Sequence, residues 1–99
     1  MIKDIIFESI SSNCKGDLDD AFATEKALLD LVNDLGGDIS AIRERCLNES
    51  HHRIHYNSDR KKMSTIFKIS EQENLSRLHL KGAAEIVLKS CDYILNERG

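Results

Sequence analysis

The sequence has no tryptophan, no proline and only five aromatic residues, three Phe and two Tyr. All-β domains draw heavily on aromatic residues and turn formers, so this composition points to a core of Leu, Ile, Val and Ala packed at helical spacing. Cysteine is also sparse. Cys14, Cys46 and Cys91 stand far apart with no CxxC pair, which excludes a disulfide framework and a thiolate zinc site and leaves small packing residues in a reducing compartment. No long apolar run occurs: the first stretch, Met1 to Glu8, carries Lys3, Asp4 and Glu8, so neither a signal peptide nor a spanning helix is read there and a cytoplasmic location is expected.

What is present is ordinary for a globular chain. Apolar residues make up 40% and charged residues 31% of the 99 positions, too apolar for disorder and enough for one core that buries roughly two-thirds of the unfolded surface. A single helical domain over residues 1–99 is the expectation. Charge is divided unevenly. Residues 1–40 hold three lysines against nine acidic side chains, residues 41–68 hold seven basic against three acidic ones, and the formal net charge is −3.

Periodicity suggests an all-α bundle of four to five helices. Ile2, Ile5, Ile6 and Ile10 share one face of a helix over 2–12, with Asp4 and Glu8 on the other. Lys15-Gly16-Asp17 reads as a stop and restart, and a second helix carries Leu18, Ala21, Phe22, Leu28, Leu31, Val32 and Leu35 to the stop at Gly36-Gly37. Asp38 caps a third helix through Ile39, Ile42 and Cys46. Residues 48–70 are expected to be helical, with a short β-hairpin within 53–69 as the alternative, because Arg53-Ile54-His55-Tyr56 and Ser64 to Ile69 also read as strands. Ser70 and Glu73 form a capping-box pattern, from which a long C-terminal helix is expected to run to about Asn96. Its apolar positions cover two faces, so a homodimer through Leu80, Ala84, Val87, Cys91 and Leu95 is expected.

Chemistry is harder to find. His51 and His55 lie one helical turn apart, but two ligands are too few for a metal and His52 occupies the place of the zinc-protease glutamate. No glycine-flanked nucleophile and no phosphate-cradling glycine run appears. No enzyme, no cofactor and no metal are therefore expected. Instead, Asp17, Asp19, Asp20, Glu25, Asp30 and Asp34 define an acidic helical face that would steer another, basic protein. The expected role is a small non-catalytic regulator or adaptor acting by protein–protein contact, of an inhibitor, immunity or antitoxin-like kind.

The alternative is nucleic-acid binding. Ala27 to Arg43, with helix, Gly36-Gly37 turn and second helix, resembles the first half of the helix-turn-helix of Fis-like regulators. Arg43 and Arg45 depart from the small or apolar residues of that motif, and Leu47-Asn48-Glu49-Ser50 stands where its second turn would be. The resemblance implies a recognition helix near 50–62, with Arg43, Arg45, Arg53, Arg60, Lys61 and Lys62 as phosphate contacts.

Overall fold

A computed structural model describes residues 2–14, 23–48 and 51–99. Three helices, α1 (Ile2–Ser12), α2 (Ala23–Asp34) and α3 (Ile39–Cys46), precede three strands, β1 (His52–Asn57), β2 (Lys62–Ser70) and β3 (Leu75–Gly82), and a short α4 (Ala84–Lys89) follows. The strands form an antiparallel sheet in the order β1-β2-β3. The expected all-α bundle is thus overturned: the fold is mixed, and the hairpin alternative within 53–69 describes β1 and β2.

Local chemistry explains the switch to strands. Asn57 accepts the amides of Asp59 and Arg60 on its side-chain oxygen at 2.8 and 3.2 Å, the local bonding by which Asn starts a turn. Lys61 takes the left-handed conformation at φ 55° and returns its amide to the Asn57 carbonyl at 2.7 Å. At the other end, the Ser70 hydroxyl does accept the Glu73 amide, at 3.2 Å, but the contact closes the turn 71–74, and Asn74 leaves it at φ 52°. No helix follows. The expected long C-terminal helix is replaced by this turn, β3 and the six residues of α4.

The helices start and stop where capping chemistry puts them. The Asp38 carboxylate accepts the Ala41 amide at 3.1 Å and starts α3; Gly36, at φ +86°, turns the chain after α2, as only glycine does without strain. Gly37 has a different reason. A Cβ there would sit 2.5 Å from Val32 Cγ1 and 2.9 Å from Phe7 Cδ2, because α1 and the end of α2 close on it.

Among the described residues the core comprises Phe7, Cys14, Leu29, Val32, Cys46, Met63 and Phe67. Two expectations fail here. α1 buries Phe7, Glu8, Ser11 and Ser12, while Ile6, assigned to the apolar face, is 45% exposed. Cys14 and Cys46 are buried, but Cys91 is exposed and is no core residue. The reason is that α1 packs on α3 and the polar face of the sheet, where Met63, Thr65 and Phe67 of β2 stand beside Arg77, His79 and Lys81 of β3.

Candidate functional site

Two features meet on that polar face. The first is a buried carboxylate. Glu8 is 5% exposed and accepts from Arg77 at 2.7 Å and His79 at 2.9 Å on one oxygen, and from Arg45 at 3.1 Å on the other. Burial alone pushes the Glu8 carboxyl up; the bonds from Arg77, His79 and Arg45 outweigh it and hold the group below its usual range.

The second is a cleft of about 590 Å³ lined by Thr24, Glu25, His55, Tyr56, Met63, Lys81 and Gly82. Four elements build it. The first turn of α2 supplies Thr24 and Glu25; β2 supplies Met63, whose register partner on β3 is Lys81. Consecutive residues of a regular strand face opposite ways, yet both His55 and Tyr56 border the cleft. The irregularity in β1–β2 pairing between Ile54 and Asn57 makes this possible.

The wall chemistry is specific. Lys81 Nζ donates to Glu25 Oε1 at 2.8 Å and lies 3.6 Å from Cys14 Sγ. The other oxygen of that carboxylate, Glu25 Oε2, is buried and has no hydrogen-bond partner among the described residues. Met63 is buried, whereas Tyr56 is 58% exposed at the rim. Burial pushes the Cys14 thiol up despite the opposing charge of Lys81. Gly82 closes one end: a Cβ there would lie 2.4 Å from the Lys61 carbonyl, and the Ala83 amide donates to that carbonyl at 3.0 Å. The turn bearing Arg60, Lys61 and Lys62 therefore sits against the end of β3.

The residues assigned from sequence are scattered by this arrangement. Asp17, Asp19 and Asp20 lie outside the described residues. Glu25 is not on an open acidic face but in the cleft; Asp30 pairs with Lys26 at 3.0 Å, and Asp34 is exposed at the end of α2. Of the basic set, Arg43 donates to the Ser11 and Cys14 carbonyls at 2.8 and 2.9 Å, Arg45 to Glu8, Arg53 to the Ser12 carbonyl at 2.8 Å, and Arg60 to the His55 carbonyl at 2.8 Å. They knit the fold, and residues 52–57 are a strand where a recognition helix would lie. The dimer stripe has no single helix to lie on: Leu80 is on β3, Ala84 and Val87 on α4, and Cys91 and Leu95 in the irregular segment after it. Tyr56, Met63 and Lys81 were missed as site residues. The available signal was the hairpin itself, which brings distant residues of 53–82 to one end of a sheet.

Family comparison gives the class of this helix-flanked sheet. The family model of the P-type ATPase cytoplasmic domain N matches residues 10–99, and the chain belongs to that family. Among its relatives, plasma membrane calcium-transporting ATPase 2 of Oreochromis mossambicus is 44% identical over 77 residues, covering 77% of this chain and 7% of that protein. The human plasma membrane calcium-transporting ATPase 4 and mca-1 of Caenorhabditis elegans are each 40% identical, over 77 and 79 residues, covering 77% of this chain and 6% of theirs. The chain thus spans only 6 to 7% of the length of these relatives. No solved structure matches.

Membership overturns the expected non-catalytic regulator or inhibitor, its helix-turn-helix alternative and the reading as no enzyme: this is a domain of ATPases. The family is one of cytoplasmic domains, and among the described residues no helix is long and apolar enough to cross a membrane.

Proposed function

We propose that this chain is the part of a calcium-transporting P-type ATPase that grips ATP, and that the cleft between α2, β1, β2 and β3 takes the nucleotide, on the cytoplasmic side of the membrane. The observation that carries this reading is the Glu25 carboxylate, which lines a cleft with an exposed aromatic at its rim and keeps one oxygen, Oε2, buried and without a hydrogen-bond partner among the described residues. A buried carboxylate oxygen without a donor is costly, and the cost is relieved by a ligand that brings an N–H. Adenine brings one on its exocyclic amine; guanine presents an oxygen at the corresponding ring position. Tyr56 offers a ring for the base to stack on, and Met63 an apolar wall. Lys81, already poised on Glu25, supplies positive charge, and the Arg60-Lys61-Lys62 turn beside Gly82 lies where phosphates would emerge. In this reading the chain binds and orients ATP, while phosphoryl transfer and calcium transport belong to the remainder of the longer protein.

Titrating the chain with ATP and GTP tests the assignment. Saturable ATP binding is expected, with weaker GTP binding. Glu25→Gln, which places an amide N–H where an acceptor is needed or turns its oxygen away, should reduce the ATP preference about fivefold to tenfold. Equal binding of both nucleotides, or none at millimolar ATP, rules the assignment out.

A further inference from the structure

Resting on that ATP reading, we propose that Asn13 is a positioning residue for the nucleotide cleft, setting the Met63–Lys81 pair at its floor from the end of α1. Asn13 is 1% exposed, and its side chain spans two strands. Nδ2 donates to the Met63 carbonyl at 3.4 Å and to the His79 carbonyl at 3.2 Å, while Oδ1 accepts from the Thr65 hydroxyl at 2.7 Å. Because both Nδ2 partners are carbonyls, which only accept, the amide has one workable orientation and the Thr65 hydroxyl must donate.

The bonds fall next to the cleft. Met63 lines it and pairs in register with Lys81; Thr65 pairs with His79, two residues before Lys81 on the same strand. One amide thus ties together both strands that carry the floor. The residue after it, Cys14, places its sulfur 3.6 Å from the Lys81 ammonium.

The amide also reaches from a fixed base. The last carbonyls of a helix lack intrahelical partners, and here Arg43 takes that of Ser11 and Arg53 that of Ser12, while Arg43 also holds the Cys14 carbonyl just beyond the helix. Arg53 Nε also donates to Thr65 Oγ1 at 3.4 Å. A continuous donor chain runs from Arg53 through Thr65 and Asn13 to the two strand carbonyls, and each bond polarises the next. A general packing role would loosen the whole cleft; a positioning role acts through Lys81 and spares the stacking of the base on Tyr56.

A pair of double-mutant cycles separates these, with calorimetric ATP affinity of the full chain as the readout. Asn13→Ser should weaken ATP about fivefold to tenfold in the parent, by the same factor in Tyr56→Ala, and by less than about twofold in Lys81→Gln. Should Asn13→Ser fail to fold, Thr65→Val takes its place in both cycles, with Thr65→Ser expected to restore affinity close to the parent. Equal losses in the Tyr56→Ala and Lys81→Gln backgrounds overturn the proposal while ATP binding by the parent stands. A parent chain that binds no ATP overturns the nucleotide reading and this inference together.

Discussion

Glu8 shows how a single side chain couples three elements, since the donors it collects come from α3 and from two positions of β3. Removing its charge leaves Arg77 and His79 facing a poorer acceptor in a site that excludes water. Glu8→Gln is expected to cost about 2 kcal/mol in chemical denaturation; a change below about 0.5 kcal/mol would show that the contacts are ornamental. The direction of the pH effect follows from the lowered carboxyl. Its stabilisation is complete above the ordinary value of 4.5 and is lost as pH falls through the lower folded value. The parent should therefore lose stability on acidification below about pH 4.5, and Glu8→Gln should lose less over the same interval. Tyr56 is the matching test at the cleft: Tyr56→Ala should weaken ATP about tenfold or more, the worth of one stacked base, with unfolding midpoints unchanged because the ring is largely exposed.

At the scale of elements, the stop of α2 and the start of α3 were legible, while the helix faces and the expected long C-terminal helix were not. Asp38 and Gly36-Gly37 act through local bonds that a short sequence encodes, so α3 begins one residue after its cap and α2 ends just before its glycines. Asp38→Ala should lower stability by about 1 kcal/mol, and Gly37→Ala by about 1 to 3 kcal/mol, since Val32 and Phe7 occupy the space a methyl needs; thermal unfolding of the two variants checks both. β3 was hidden for a physical reason. Its leucines, Leu78 and Leu80, alternate with Arg77, His79 and Lys81, a period of two that signals a strand, but the capping pattern at Ser70 and Glu73 is shared by helix starts and tight turns. The buried side of α1 was misassigned because an amphipathic reading sends Glu8 to solvent, whereas Arg45 of α3 and Arg77 and His79 of the sheet bond its carboxylate and make burial favourable.

For the molecule as a whole, the sequence shows one thing about function that a local reading cannot use. Glu25, Tyr56, Met63 and Lys81 span more than fifty positions and become neighbours only when α2 is laid across the end of the hairpin. None of them lies in a motif by itself. Part of the acidic charge of the first segment is used within the chain: Glu8 and Glu25 meet Arg45, Arg77 and Lys81 from the later parts. These pairs are partly screened, so about 1 M salt should lower stability only modestly, whereas it should weaken ATP binding more strongly because the nucleotide brings several negative charges to an open cleft. Affinity and unfolding measured across one salt series distinguish the two.

Arg77, His79 and Lys81 occupy alternate positions of one strand. Sliding β3 by a single residue past β2 would carry all three to the opposite side and bring Leu78 and Leu80 to face Glu8. Misalignment would therefore strand the carboxylate and strip the nucleotide floor of its ammonium in the same step, so that a correctly zipped sheet and a working cleft arise together or not at all.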